Sequence, residues 1–121
     1  ATKYAVSQNM YSLLKNYLLC EDIEYVIFPY GFHGERKQIF DQVIGSLRED
    51  GMPFEVCPVI LKCCKEENVR RAINDGRDRE RIERGIKNTF HFYDDYTYPS
   101  IDSTYLQPEK VARKIMEILN I

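Results

Sequence analysis

The chain has 121 residues, of which 44% are hydrophobic and 30% charged, a composition typical of one soluble globular domain with a hydrophobic core. Its 17 Lys and Arg residues stand against 19 Asp and Glu residues, and the formal net charge of -2 provides no basic field for nucleic acid, so we expect no nucleic-acid partner. No apolar run approaches the roughly 18 residues that a membrane helix needs, and the N-terminal residues lack a signal-peptide pattern, so we expect a cytoplasmic protein with no membrane partner.

The first half of the chain predicts a helix, a strand and a second helix. Apolar residues recur at three- and four-residue spacing from Val6 to Leu18, as on one face of an amphipathic helix. The continuous apolar run Tyr25–Phe28 ends at Pro29 and predicts a buried strand. The second helix is expected to end at the turn 50–53 and to direct five apolar residues inward: Ile39, Phe40, Val43, Ile44 and Leu47.

The second half predicts short extended segments that alternate with helices. In chain order these are a strand at Val59–Leu61, a helix at Lys65–Asn74, a break at Asp75–Gly76, a helix at Arg77–Asn88, an extended piece at Tyr98–Asp102 and a helix that opens at Pro108. Strands separated by helices predict a parallel sheet with helices on both sides. We therefore expect a single α/β domain over residues 1–121.

The four cysteines predict reduced thiols rather than disulfides or a metal site. Two of them, Cys63 and Cys64, are adjacent, and no Cys-x-x-Cys motif or paired histidine accompanies them. All four, including Cys20 and Cys57, lie in or beside apolar segments, so we expect them to be buried as small hydrophobic residues.

Basic residues are concentrated between Lys62 and Lys87, where nine Lys and Arg accompany six Asp and Glu. On the predicted helix Arg77, Arg81 and Arg84 fall within one narrow sector. Guanidinium groups bind phosphoryl oxygens bidentately, and a helical arm hinged at Asp75–Gly76 can carry them over a ligand and exclude water. The alternative is a solvated helix whose neighbouring glutamates pair with these arginines.

A second candidate site follows the first predicted strand. Ligands of parallel α/β sheets bind beyond the carboxyl ends of strands, and two glycines in this segment permit close approach of the backbone to a ligand. The candidate substrate-binding residues are Gly31, His33, Arg36 and Gln38. The alternative is an ordinary loop before a capped helix.

The order of these segments resembles the later two-thirds of a small P-loop kinase, the group that includes nucleoside-monophosphate and shikimate kinases. The ending IDSTYLQPEKVARKI is similar to the short last strand and closing helix of that family. The resemblance implies an α/β fold that transfers phosphate from ATP, with Mg²⁺, to a nucleotide or another small phosphate acceptor. It implies lid arginines that act on the transferred phosphate (Arg77, Arg79 and Arg84) and nucleotide-binding residues (Arg70, Arg71, Asp102, Ser103 and Thr104).

The sequence departs from that family in its phosphate loop. None of the six glycines begins the motif G-x-x-x-x-G-K-[ST], which binds the β- and γ-phosphates and places a hydroxyl on Mg²⁺. We therefore expect this chain alone to be inactive, with ATP and Mg²⁺ as cofactors only of a complete domain. The missing P-loop strand would leave unpaired sheet edges. A preceding segment or a second copy in a homo-oligomer can fill the gap, or the sheet can rearrange so that the two neighbouring strands pair directly.

Two other functions remain open from the sequence. One is a non-catalytic interaction or regulatory α/β domain, in which the arginine stripe recognises an acidic surface or a phosphorylated ligand. The other is an arginine-rich RNA binder, which the net charge of -2 disfavours and which would show a strongly salt-dependent affinity.

Overall fold

This computed structural model describes residues 2–121. They contain five helices and two strands. In chain order the elements are α1 (Lys3–Leu18), α2 (Arg36–Glu49), β1 (Ile60–Lys62), α3 (Lys65–Asn74), α4 (Arg79–Thr89), β2 (Ser100–Asp102) and α5 (Pro108–Leu119). They fall into two compact units, unit 1 (Ala1–Glu55) and unit 2 (Val56–Ile121), and each is described by itself. The α/β class is confirmed, whereas the single domain over residues 1–121 stays a prediction.

Unit 1 is a helical hairpin whose core lies between α1 and α2. The Thr2 hydroxyl begins α1 by accepting a hydrogen bond from the backbone N–H of Ala5 at 3.1 Å. The core consists of Met10, Leu14, Ile39, Val43 and Leu47, with Phe40 and Ile44 packed against it, so the inward face of α2 is as predicted. The predicted face of α1 is too wide, because the exposed residues Val6, Leu13 and Tyr17 lie outside the contact with a single neighbouring helix.

The segment Tyr25–Phe28 forms no strand, so the prediction of a buried strand here is wrong. Ile27 is 89% exposed, and only Phe28 packs on the α1–α2 core. Phe28 stacks on Tyr30 with ring centroids 5.3 Å apart. Apolar, β-branched residues favour a strand only where a neighbouring strand pairs with the backbone, and the described residues of unit 1 include no such strand.

Unit 2 contains the sheet, in which β1 and β2 run parallel as predicted. Leu61 pairs with Ile101 at the centre of the ladder, and Ile60 and Ile101 are buried. The backbone N–H of Ile60 donates to the carbonyl oxygen of Pro99 at 2.9 Å and extends the pairing by one bond. β1 therefore lies one residue later than predicted. The pairing begins after Pro58, which has no backbone N–H to donate to a neighbouring strand.

Helices α3 and α4 form a second hairpin, joined by a tight turn. Gly76, at φ 78°, donates its N–H to the carbonyl of Ile73, and Arg77 donates to that of Ala72, which together form a Schellman motif. α4 then begins after Asp78, whose side chain accepts from the N–H of Arg81 at 2.7 Å.

The Schellman motif corrects the predicted arginine stripe. α3 has the predicted bounds, but Arg77 lies in the turn before α4 rather than on it. The predicted sector of Arg77, Arg81 and Arg84 is therefore wrong, because only the last two of these residues lie on α4.

The cysteines differ from their prediction in burial, whereas their reduced state stays a prediction. All four thiols are free, but Cys20, Cys57 and Cys64 are exposed, and only Cys63 is half-buried. The predicted burial is wrong because the chain around each of these three residues is loop or turn rather than core. Separately, none of the helices in residues 2–121 has both the length and the apolar character of a membrane span.

Candidate functional site

A cavity of about 760 Å³ opens in unit 2 where the carboxyl ends of β1 and β2 meet α3 and α5. We name it the α3–α5 cavity. Its lining consists of Leu61 from β1, Glu67, Arg70 and Arg71 from α3, residues 103–107 of the β2–α5 loop, and Pro108, Val111, Ala112 and Ile115 from α5. Parallel strands present their ligand sites at this edge, because the loops that follow them converge there.

Ser103 fixes the start of the β2–α5 loop to the end of β1. Its backbone N–H and its hydroxyl both donate to the carbonyl oxygen of Lys62, at 2.7 and 3.0 Å. Its own carbonyl oxygen accepts from the N–H of Leu106 at 3.2 Å. Ser103 is 8% exposed, so these bonds form with little competition from water.

Thr104 joins this loop to the N-terminus of α3. Its hydroxyl accepts from the backbone N–H of Cys64 at 2.8 Å and donates to Oδ1 of Asp102 at 2.5 Å. The N–H of Thr104 also donates to the same carboxylate oxygen at 3.0 Å. These bonds from Thr104 hold the pKa of Asp102 below its usual value, so Asp102 acts as a charged acceptor inside the turn.

Arg71 connects α3 to the same loop with three donors. Its Nε donates to Oε1 of Glu67 at 3.0 Å, while Nη1 and Nη2 donate to the hydroxyl and the carbonyl oxygen of Ser103 at 3.1 and 2.7 Å. The guanidinium is thus already engaged by the protein. Arg71 shapes the wall of the cavity, and any ligand contact must come in addition to these bonds.

Arg70 differs from Arg71 because, within residues 2–121, the hydrogen bonds of its guanidinium are to Glu67 and not to the β2–α5 loop. Its Nε lies 3.1 and 2.9 Å from the two carboxylate oxygens of Glu67, and its Nη2 lies 2.5 Å from Oε1. The Arg70 side chain is 62% exposed, whereas that of Glu67 is only 17% exposed. Arg70 therefore offers a guanidinium with access to solvent at the edge of the cavity.

Glu67 is a candidate site residue that the sequence analysis missed. Hydrogen bonds from Arg70 and then from Arg71 lower its pKa to about 2, so it is ionised at neutral pH. Two guanidinium groups then share one carboxylate, and the cluster keeps one excess positive charge. The signal was present in the sequence, because a glutamate three and four residues before two arginines shares a helix face with both.

The opposite wall of the α3–α5 cavity is apolar. Val111 and Ile115 of α5 are half-buried, and Leu61 of β1 is 55% exposed beside them. The Tyr105 side chain is 95% exposed. A ligand with an anionic end and a flat or apolar end matches this division of the lining.

The predicted substrate-binding residues lie in unit 1, around the start of α2. The ring of His33 packs on the Gly31 backbone, since a Cβ at Gly31 would lie 3.0 Å from Cε1 of His33 and 3.7 Å from Nη1 of Arg36. Gln38 accepts a hydrogen bond from Nζ of Lys3 at 2.5 Å, which ties α2 to α1. Gly31, His33 and Arg36 are therefore neighbours, while Gln38 contributes to the helical hairpin.

The predicted catalytic arginines lie on the α3–α4 hairpin and not among the described lining residues of the cavity. Arg77 is 4.0 Å from the carboxylate of Asp75, and Arg79 donates from Nε to Glu83 at 3.1 Å. The Arg79 side chain is 92% exposed, and Arg84 is also exposed. The structure thus brings Arg70, Arg71, Ser103 and Thr104 to one cavity and leaves the α4 arginines in solvent.

Comparison with known proteins identifies no relative of this chain. It matches no protein-family model, no curated protein and no solved structure. The resemblance to small P-loop kinases therefore stays a prediction.

Among residues 2–121, no group of three or more His, Cys, Asp and Glu side chains is placed to hold a metal ion. Glu67 is the only carboxylate among the described lining residues of the cavity, and two arginines engage it. The lining therefore fits a phosphate group and does not fit Mg²⁺, whose usual ligands are carboxylates and water.

Proposed function

We propose that unit 2 binds a nucleotide, or another small phosphorylated molecule, in the α3–α5 cavity as the nucleotide-binding part of a P-loop-kinase-like phosphotransferase. The observation that supports this most is the convergence of Arg70 and Arg71 with Ser103 and Thr104 at the carboxyl ends of two parallel strands. These residues are about thirty positions apart in the sequence, and Arg71 is joined directly to Ser103.

In this proposal Arg70 binds the phosphate group. Its guanidinium can turn an N–H edge toward phosphoryl oxygens while other N–H groups keep their hydrogen bonds to Glu67. The cluster of Arg70, Arg71 and Glu67 carries one more positive than negative charge, which attracts the phosphate. Arg71 keeps the wall in place through Ser103. The apolar side chains Val111 and Ile115 cover the base or another flat part of the ligand.

We expect binding without phosphotransfer from this chain alone. The 121 residues contain no G-x-x-x-x-G-K-[ST] motif to surround the β- and γ-phosphates with backbone N–H groups. The α3–α5 cavity supplies one exposed guanidinium and no carboxylate that is free for a metal ion. No step of a transfer reaction is assigned to its residues.

The second candidate is a non-catalytic interaction domain that uses the arginines of α4. It is favoured by two observations: the Arg79 side chain is 92% exposed, and no residue of α4 is buried. In that case Arg79 and Arg84 would bind an acidic partner surface, and the cavity would be a feature of packing.

Titration with ATP, followed by calorimetry and by thermal unfolding, tests the proposal with two matched variants. Arg70→Ala and Arg79→Ala each remove an arginine that is paired with a glutamate on its own helix. We expect Arg70→Ala to weaken ATP binding about tenfold or more and to abolish most of the thermal stabilisation by ATP. Arg79→Ala should bind ATP as the unsubstituted chain does.

Two results would overturn the proposal. Failure of the unsubstituted chain to bind ATP or inorganic phosphate at millimolar concentration would remove the ligand class. Weaker binding in Arg79→Ala with none in Arg70→Ala would move the ligand to α4 and favour the interaction domain.

A further inference from the structure

Two adjacent thiols, Cys63 and Cys64, occupy the turn between β1 and α3. Cys64 is exposed and is the N-cap residue of α3, although its side chain makes no capping hydrogen bond. Cys63 is half-buried, and burial raises the pKa of its thiol, while the nearby Arg71 acts in the opposite direction. The exposed Cys64 sulfur is therefore the first of the two that a dissolved oxidant reaches.

The same turn carries the contact that joins α3 to the β2–α5 loop. The backbone N–H of Cys64 donates to the Thr104 hydroxyl, which in turn donates to Asp102. One helical turn further on, Glu67 begins the cluster with Arg70 and Arg71. The peptide bond between the two thiols thus lies directly against the loop that lines the α3–α5 cavity.

We propose that Cys63 and Cys64 form a reversible disulfide with each other, and that this bond releases Thr104 from Cys64 and loosens the α3–α5 cavity. The consequence for ligand binding rests on the proposed function, whereas the disulfide and the loss of the hydrogen bond do not. The modification site is a pair of thiols, and the oxidant is a peroxide.

The chemistry balances with hydrogen peroxide as the two-electron oxidant. The Cys64 thiolate attacks one peroxide oxygen, the O–O bond breaks, and the products are a Cys64 sulfenic acid and a hydroxide, which becomes water by taking the proton that the Cys64 thiol released. The Cys63 thiolate then attacks the Cys64 sulfur, the S–O bond breaks, and the hydroxide that leaves becomes a second water with the proton from the Cys63 thiol. In total two thiols and one peroxide give one disulfide and two waters.

Covalent geometry explains why this bond must disturb the turn. Consecutive Cα atoms across a trans peptide are about 3.8 Å apart, whereas disulfides usually join Cα atoms about 4.4–6.8 Å apart. Closing the ring therefore twists the backbone between the two residues, at the N–H that donates to Thr104. A strained disulfide is also easily reduced, which makes the modification reversible.

Peptide mapping and amide hydrogen exchange of the full chain test the proposal. A Cys20→Ser/Cys57→Ser variant removes the two other thiols, both exposed, and serves as the reference. After treatment with hydrogen peroxide, cleavage at Glu55 and Glu66 releases one peptide that holds both remaining thiols. We expect that peptide to have lost two hydrogen atoms and to regain them with dithiothreitol. We also expect about tenfold faster exchange of the Cys64 amide in the oxidised chain, because that N–H is the donor to Thr104.

Two single variants and a binding measurement complete the test. Adding Cys63→Ser or Cys64→Ser to the reference should abolish both the loss of two hydrogens and the change in exchange. Thr104→Val in the reduced reference should reproduce the faster exchange without oxidation. If ATP binds the reduced reference, oxidation should weaken that binding about tenfold, with recovery on reduction.

The proposal is overturned by either of two results. One is conversion of Cys64 by peroxide only to higher oxides or to disulfides between chains, with no internal link to Cys63. The other is formation of the link with no change in the exchange of the Cys64 amide. Failure of the reduced chain to bind ATP would count against the proposed function alone, because peptide mass and exchange still decide the disulfide.

Discussion

Glu67 determines what each of its two arginine partners can do. Arg71 uses Nε on Glu67 and its other donors on Ser103, so it is part of the wall. Arg70 contacts the same carboxylate but keeps a largely exposed side chain. Two neighbouring residues of one type therefore have different roles, and the difference arises from which of them reaches the β2–α5 loop.

The depressed pKa of Glu67 predicts a pH-dependent stability. A carboxyl whose pKa falls from 4.5 in its ordinary state to about 2 in the folded chain stabilises the fold above pH 4.5, and this contribution is lost as the pH falls toward 2. We expect Glu67→Gln to show a shallower decline in the free energy of unfolding between pH 4.5 and about 2, measured by urea denaturation.

Asp102 provides the comparison for this measurement. Its pKa is also lowered, through the bonds from Thr104, so Asp102→Asn should flatten the same acid limb further when combined with Glu67→Gln. A decline in Glu67→Gln as steep as that of the unsubstituted chain would show that the Arg70 and Arg71 bonds contribute nothing to folding.

Thr104 predicts a second effect at the residue scale. Thr104→Val keeps the shape of the side chain but removes the acceptor of the Cys64 N–H and the donor to Asp102. Asp102 is exposed and keeps the bond from the Thr104 N–H, so the main loss is the hydrogen bond from the Cys64 N–H, and we expect a loss of about 0.5–1.5 kcal/mol in the free energy of unfolding. Thr104→Ser keeps the hydroxyl and should recover most of it, and equal losses in both variants would assign the effect to packing.

These residue contacts divide into those that the sequence can predict and those that it cannot. Glu67 with Arg70 and Arg71 follows from helical spacing alone, because neighbours three and four positions apart share a face. The bond between Cys64 and Thr104 joins residues 40 positions apart. It depends on the parallel pairing of β1 with β2, and no local pattern encodes it.

At the scale of elements, the turn between α3 and α4 shows how one glycine sets a helix boundary. Gly76 has φ 78° and closes the Schellman motif, which moves the start of α4 to Arg79 and leaves Arg77 outside it. The sequence marked Asp75–Gly76 as a break. The predicted helix began at Arg77, whereas α4 begins after Asp78, whose side chain caps it.

Gly76→Ala and Gly85→Ala should shift stability in opposite directions. A Cβ at Gly76 is strained at positive φ, and we expect a loss of about 1 kcal/mol in the free energy of unfolding. Gly85 lies within α4, where an added Cβ meets no atom within 4 Å, so alanine should stabilise by about 0.5–1 kcal/mol. Thermal and urea unfolding measure both, and stabilisation by Gly76→Ala would exclude the left-handed turn.

Helices were predicted better than strands, for a physical reason. A helix satisfies its own backbone, so spacing, caps and the proline that opens α5 are enough to locate it. A strand needs a partner. Tyr25–Phe28 has the composition of a strand but forms none, whereas Ile60–Lys62 and Ser100–Asp102 pair with each other.

At the scale of the whole molecule, the candidate site residues fall into both units. Gly31, His33 and Arg36 gather at the start of α2 in unit 1, while Arg70 and Ser103 line the cavity of unit 2. The first set was predicted because ligands bind beyond the ends of parallel strands, whereas the second set was implied by the resemblance to small P-loop kinases. Only the second set follows a strand that the structure contains, which is why the proposed function rests on unit 2.

The prediction of a single domain over residues 1–121 can be tested from the core of unit 1. Leu47 is fully buried between α1 and α2, so Leu47→Ala should cost about 2–5 kcal/mol in the free energy of unfolding. Leu13→Ala, at a side chain that is 49% exposed, should cost far less.

If the chain unfolds as one cooperative domain, amide exchange in Leu47→Ala must accelerate equally in α2 and around β1 and β2, because global unfolding then governs both. Acceleration confined to unit 1 would contradict the single domain, and unit 2 with its α3–α5 cavity would then be the part to test for ligand binding on its own.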